Sequence, residues 1–329
     1  MISEIRKEMT TALKEVGYDI NVIPFIIEMY LGGELRGHTS HGLASFASFV
    51  KQDFSDLFEP EVLLETASLF MIDAKSNPGT VVGKRAIDEA IKRAEKEVVG
   101  TAIIKNMDSW LRPGGVAQYA ADRGYLCLVM NNGGGTSIAP PGGYDPTLGT
   151  NPIAYALPTN EESLAVDIAT SKRAWGQVRL ANKYGTDLPG DTYYDGNGNV
   201  TLDPKKAHSV KSFGEHKGYS LALLVEVMCG SLLGMEMMVE STAKNNFGSK
   251  SPERGAFILV IDPGQTHSLA AFKQDNSEML EKIKKTKAIA DESIRIPGER
   301  AGKLEQDHIK SNELEIPEDV WQEILALKT

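Results

Sequence analysis

Cysteine is scarce: the chain of 329 residues holds two, Cys127 and Cys229, far apart and each inside an apolar run. That excludes a disulfide framework and a cysteine-rich metal centre, and it fits the reducing cytoplasm. Positive charge is also short, with 35 Lys and Arg against 45 Asp and Glu and a formal net charge of −10. Such a balance offers no basic surface for nucleic acid or for an anionic membrane. Long apolar runs are missing. The longest, residues 221–225 continuing through Val227, Met228 and Cys229, is broken by Glu226 and bounded by Gly218 and Gly230. It is too short for a membrane span and reads as a buried helix. The opening Met1-Ile2-Ser3-Glu4-Ile5-Arg6 is amphipathic and charged, without the basic-then-apolar order of a secretion signal. Repeats and low-complexity tracts are lacking too. What remains is globular material, 41% hydrophobic and 24% charged, long enough for about two domains and a large core.

Residues 1–70 read as helices. Ile5, Met9, Ala12, Leu13 and Val16 recur at helical spacing after Ser3 and stop at Gly17. A second helix follows Asn21, with Pro24 in its first turn and Phe25, Ile26 and Met29 leading to Gly32-Gly33. A third starts near His41 and carries Leu43, Phe46, Phe49 and Val50. From Ser68 onward short β-rich segments at 69–72, 102–104, 126–130, 164–168 and 257–261 alternate with helices. The helix at 83–98 buries Ala86, Ile87, Ala90, Ile91 and Ala94 and turns Lys84, Arg85, Lys92 and Arg93 to water, the pattern of a helix covering a sheet. After a buried helix at 218–234 the chain ends in helix again, with Pro317 opening a stretch that holds Val320, Trp321, Ile324 and Leu325. The expected architecture is an α/β sheet domain at 76–290 beside a helical domain built from both chain ends, 1–75 and 291–329.

Glycine-rich segments are where a nucleotide would sit, and the usual fingerprints fail. Asn131-Asn132-Gly133-Gly134-Gly135 follows a strand, but Ile138 stands where the third glycine of G-x-G-x-x-G belongs and Pro140-Pro141-Gly142-Gly143 replaces the helix. Asp195-Gly196-Asn197-Gly198-Asn199 lacks the sixth-position glycine of a calcium loop and reads as a plain turn. Four stretches can carry chemistry. Arg36-Gly37-His38-Thr39-Ser40-His41-Gly42 puts two histidines on a loop entering a helix, suited to proton transfer near neutrality. With no carboxylate or cysteine ligand nearby, the pair is poor for a metal. Around Arg112, with Trp110 beside it, the chain either clamps a carboxylate through the guanidinium or forms a solvated loop anchored by its tryptophan. Asp167-Ile168-Ala169-Thr170-Ser171-Lys172-Arg173 brings hydroxyls and backbone N–H groups after a strand, and His216-Lys217-Gly218 opens a buried helix. Both suit phosphate.

In this order, along nearly the whole chain, the motifs resemble the type 2 malate/L-lactate dehydrogenases, a family that also holds sulfolactate dehydrogenase, ureidoglycolate dehydrogenase and diketogulonate reductase. The matching strings are Leu35-Arg36-Gly37 with Ser40-His41-Gly42, Val81-Val82-Gly83, and Ala139-Pro140-Pro141-Gly142-Gly143 with Leu148-Gly149-Thr150-Asn151-Pro152. They continue through Asp167-Ile168-Ala169-Thr170-Ser171 with Ala174-Trp175-Gly176, Lys217-Gly218-Tyr219 with Leu221-Ala222-Leu223, and Arg295-Ile296-Pro297-Gly298-Glu299-Arg300.

The resemblance implies a homodimer that binds NAD(P) in a non-Rossmann α/β domain. It gives His41, with Ser40 beside it, the role of proton donor or acceptor at the substrate oxygen. Cofactor contacts map to Asp167, Ala169, Thr170, Ser171, His216, Lys217, Gly218, Gly298, Glu299 and Arg300. Two positions depart from the family pattern: Ser45 replaces an arginine and Ser109 a histidine. Substrate recognition is therefore expected from Arg112, with Trp110 and Arg36. Lys172 and Arg173 stand where relatives carry apolar residues, which leans the cofactor toward NADP, since two cations favour an extra phosphate. The expected reaction interconverts a small anionic 2-oxo acid, or a related keto or imino acid, with its reduced form. The alternative is a cofactor-binding protein whose chemistry has decayed.

Overall fold

The computed structural model describes residues 1–52, 59–108, 112–133, 135–239 and 254–327. The chain runs through α1 (Ile2–Glu15), α2 (Ile23–Leu35), α3 (Leu43–Val50), β1 (Glu61–Glu65), β2 (Leu69–Asp73), α4 (Gly79–Glu97), β3 (Val99–Met107), α5 (Pro113–Ala121), β4 (Leu126–Asn131), β5 (Ile153–Leu157) and β6 (Leu164–Ile168). It continues through α6 (Gly176–Tyr184), the short strands β7 (Tyr193–Tyr194), β8 (Val200–Thr201) and β9 (Ser209–Val210), and α7 (His216–Cys229). The last elements are β10 (Arg254–Ile261), α8 (Pro263–Thr266), α9 (Leu269–Lys284), α10 (Glu299–Ser311) and α11 (Glu318–Leu325).

Seven strands form one mixed sheet in the order β1-β2-β3-β10-β4-β5-β6, and β8-β7-β9 make a small second sheet. In the large sheet β2 and β3 pair parallel across the α4 connection, while every other neighbouring pair is antiparallel. A doubly wound nucleotide fold needs a run of parallel strands. The failed fingerprint and the topology therefore agree.

Strand alternation assigns the two faces of the sheet. Cys127 and Val129 of β4 join the main core with Ala102 and Ile104 of β3 and Ile258 of β10. Leu128 and Met130 point the other way, against Val225 and Cys229 of α7. α4 and α5 cover the first face, and α2, buried on nearly every side, lies over both. From the C-terminus, α10 packs on α2 and β6, while α11 packs on α1 and α3 and buries Ile324.

Three expectations are corrected. α7, read as a buried helix, buries Ala222, Val225 and Cys229 but leaves Leu223, Leu224 and Val227 exposed. Within residues 1–70, read as helices, β1 is the edge strand of the large sheet, while its neighbour β2 is the β-rich segment expected at 69–72. The run Val62-Leu63-Leu64 in β1 has neither a helical nor a strand period, and all five residues of this edge strand are exposed. Arg93, assigned to water, is buried: it pairs with Glu89 and Glu65 and lies over the ring of Phe70. A cation on the core side of α4 is tolerated because carboxylates and an aromatic face compensate it.

Candidate active site

Where α2 ends, the chain turns through residues 36–42 into α3, folded flat against the last turn of α2. Two glycines permit this. A Cβ on Gly33 would lie 2.7 Å from the His41 carbonyl oxygen, and one on Gly42 would lie 2.0 Å from Glu34 Oε2. His38 N donates to Gly33 O at 2.9 Å, and His41 N donates to His38 O at 2.8 Å. The buried Glu34 carboxylate accepts from Leu43 N at 2.8 Å, the anion that the N-terminus of α3 favours. Burial holds the Glu34 carboxyl above its ordinary range. This locked turn presents both histidines. Burial lowers the proton affinity of His41, and the charges of Arg179 and Arg112 lower it further. His38 keeps part of its surface open to solvent, yet the surrounding protein, followed by Arg112, His41, Arg36 and Arg300, pushes its pKa down to about 4.

Beside the turn opens a cavity of about 220 Å³, whose wall includes Arg36, His38, Arg112, Asp167, Gly298 and Arg300. Arg112, at the start of α5, is buried. Its Nη1 donates to Gly32 O at 2.8 Å, and its Nε has no partner among the described residues. Burial, with the charge of Arg36, pulls its pKa down to about 10 against the opposing pull of Asp167. Asp167, at the end of β6, accepts from Gly114 N at 2.9 Å and so caps α5 from across the fold. Burial raises its carboxyl above the usual range, against Gly114 and Arg112. Arg36 Nε and Nη2 both reach Glu305 Oε2 of α10 at 2.8 Å. Gly298, with φ +86°, precedes α10, and a Cβ there would sit 2.2 Å from Ala165 O. Glycine at this position lets α10 start against β6.

The wall continues past Ile168 into the second cluster. Thr170 N and Oγ1 both donate to Thr150 O at 2.9 Å. Phe213 N donates to Thr170 O at 3.0 Å, Lys172 N to Lys211 O at 2.7 Å, and Ser171 bridges to Ser212. Residues 170–172 are thus laid along the segment that enters α7, beside His216, Lys217 and Gly218. Ser171 Oγ is buried with no partner among the described residues, an unspent donor for a ligand acceptor. Lys172 Nζ donates to Asp191 O at 2.7 Å and reaches Asp191 Oδ2 at 3.2 Å, while Arg173 is exposed. Glu299 pairs with Lys284.

The fold thus gathers Arg36, Arg112, Asp167, Gly298 and Arg300 around one cavity, with His41 within electrostatic reach of Arg112. Thr170, Ser171 and Lys172 lie against the approach to α7. Trp110 and Ser109 fall outside the described residues, as does the side chain of Ser40. In the Asp195 turn, Asp195 Oδ1 accepts from Asn197 N and Asn199 N, both at 2.9 Å, so the turn consumes its own carboxylate. Among the described residues, no group of three or more His, Cys, Asp or Glu side chains is placed to hold a metal. No described helix is long and apolar enough to cross a membrane. Sequence reasoning missed Glu34, Arg179 and Glu305. Glu34 had a signal, an acid on the otherwise apolar end of α2. Glu305 had none, since it lies 269 residues from its partner.

The chain matches the family model described as malate/L-lactate dehydrogenase over residues 1–325. It is 30% identical over 320 residues to the malate/(S)-sulfolactate dehydrogenase of Methanothermus fervidus, covering 95% of this chain and 91% of that protein. With the 2,3-diketo-L-gulonate reductase of Salmonella typhi it shares 27% identity over 311 residues, 91% of each chain. The structure of sulfolactate dehydrogenase from Methanocaldococcus jannaschii superposes with a TM-score of 0.86 at 26% identity, over 99% of this chain and 95% of that one. Fold and site define an oxidoreductase built on a mixed sheet. The chain belongs to the malate/L-lactate dehydrogenase family and is a dehydrogenase of the malate/lactate type, acting on small keto or hydroxy acids. Such an enzyme works with a nicotinamide cofactor, and the Ser171 hydroxyl, with no partner among the described residues and close to the start of α7, fits one.

Proposed function

We propose that the protein is a cytoplasmic, homodimeric NAD(P)H-dependent enzyme that interconverts a small 2-oxo acid, or a related keto or imino acid, with its reduced form. One observation carries this reading: a single cavity is bordered by the histidine turn, by Arg112 and by the end of β6 that runs into Thr170 and Ser171. Asp167, Ala169, Thr170, Ser171, His216, Lys217, Gly218, Gly298, Glu299 and Arg300 hold the cofactor, which when bound supplies the hydride. Arg112, with Trp110, takes the substrate carboxylate through its planar fork. His41, oriented by the turn that includes Ser40, donates a proton to the carbonyl oxygen as negative charge develops there. Burial and Arg112 keep His41 reluctant to hold that proton in the free protein. An anionic substrate seated on Arg112 offsets that charge and draws the proton on. Exposed Leu223, Leu224 and Val227 on α7 support a second copy packing there.

The test is oxidation of NADH and NADPH across a panel of 2-oxo acids, with turnover expected for at least one. Tight cofactor binding with no oxo or imino acid reduced would favour the binding protein with decayed chemistry.

The lean to NADP rests on Lys172 and Arg173. Because Lys172 is engaged by Asp191, Arg173 carries most of that preference. Replacing both (Lys172→Val, Arg173→Val) is expected to shift the ratio of NADPH to NADH dissociation constants about tenfold toward NADH, the worth of one charge-assisted contact. An unchanged ratio removes the pair from cofactor selection.

A further inference from the structure

The arginines in the cavity wall are not equally available. Arg36 is spent: its guanidinium and the Glu305 carboxylate form a pair with side chains 6% and 15% exposed. A buried pair of this kind resists opening, because each ion would be left uncompensated. A second acid group of a substrate reaching for Arg36 would meet the Glu305 carboxylate on the same guanidinium. The surrounding protein and the charges of Arg112, His41, Arg36 and Arg300 lower the proton affinity of His38, which disfavours it as a cation for a second acid group. Arg300 is exposed at the mouth, on the start of α10 assigned above to the cofactor. That leaves Arg112, buried, with its Nε unpartnered among the described residues. The Asp167 carboxyl lies in the same wall.

We infer that Glu305, by holding Arg36, restricts the site to substrates with a single acid group, so that this member of the family takes 2-oxo monocarboxylates in preference to dicarboxylates or sulfocarboxylates. A charge taken out of water needs a partner, and in the wall the buried Arg112 has a donor, Nε, with no partner among the described residues. The inference rests on the proposed reading of the cavity as the substrate site.

Its test is read by binding, without turnover. Calorimetry on the whole chain with NADH or NADPH present compares oxamate, with one negative charge, and hydroxymalonate, with two. Oxamate is expected to bind at least about tenfold more tightly. Equal or tighter binding of hydroxymalonate, or binding of neither, overturns the inference. Loss of all turnover with preserved oxamate preference would instead overturn the dehydrogenase reading. Glu305→Gln keeps the side-chain shape and releases Arg36. In that variant, checked for folding by its melting transition, hydroxymalonate affinity is expected to rise about tenfold while oxamate affinity stays nearly level. A ratio that does not move removes Glu305 as the specificity-determining residue, and the wild-type comparison stands whether or not the variant folds.

Discussion

Replacing His41 by alanine is expected to lower reductive turnover by about 10²–10⁴-fold, the usual contribution of a positioned general acid, while cofactor affinity stays nearly unchanged. His41 sits in a turn fixed by His38 O, by the flat approach permitted at Gly33, and by the Glu34 carboxylate under Gly42. Truncating its side chain therefore removes the proton and leaves the backbone in place. The pH profile gives the sign. Reduction requires the protonated imidazole, and kcat/KM reports the group in the free enzyme. Because burial, Arg179 and Arg112 lower the proton affinity of His41, reductive kcat/KM should fall as pH rises, with its midpoint below the ordinary histidine value of about 6.5. In the oxidative direction the neutral imidazole is the base, so the rate should rise through the same window. The alanine variant should lose both dependences. A variant that kept the wild-type rate and profile would hand the role to His38 or to a water molecule.

The sheet was legible because its strands are period-2 or continuously apolar runs set off by turns, and the residues predicted for β2, β4 and β6 agree with the structure to within a residue or so. Order and direction were not legible. β10 lies between β3 and β4 although more than a hundred residues separate it from either in sequence. Pairing at that range leaves no local pattern; it is settled by which apolar faces can be buried together. β1 escaped for a different reason, since an exposed edge strand has no face to bury and hence no alternation. Arg93 shows the converse failure, in which helix periodicity marks a charged residue as outward while Glu89, Glu65 and Phe70 make an inward position tolerable.

At the site, residues close in sequence could be read together, and residues joined only by the fold could not. The histidine loop is one contiguous string, so its chemistry was visible. The Arg36–Glu305 pair and the Asp167 cap on Gly114 join segments with no common motif. Lys172 was legible as a cation after a strand, but its capture by Asp191 was not, because Asp191 is placed by a backbone turn with φ +52°. What a sequence hides here is the compensation of charge. That compensation decides which cations a ligand can use.

Arg112→Ala should raise KM for an anionic substrate about ten- to hundredfold, corresponding to the roughly 1.5–3 kcal/mol of a charge-assisted hydrogen bond, and should change KM for an uncharged ester of the same acid far less. Arg112 is suited to this role by what it lacks. Gly32 O takes Nη1, while Nε has no partner among the described residues. A buried donor in that state is costly unless a ligand completes it. The alanine variant also loses the Gly32 bond between α2 and α5, so some thermal stability goes with it. Cofactor affinity and the melting transition measured on the same preparation separate that loss from recognition. Arg112→Lys sharpens the reading, because an ammonium keeps the charge but cannot present two parallel N–H groups. Its KM should fall between wild type and alanine if the planar fork matters, and should equal wild type if charge alone does. Equal increases for the acid and its ester would take Arg112 out of the substrate site and leave the carboxylate to another cation.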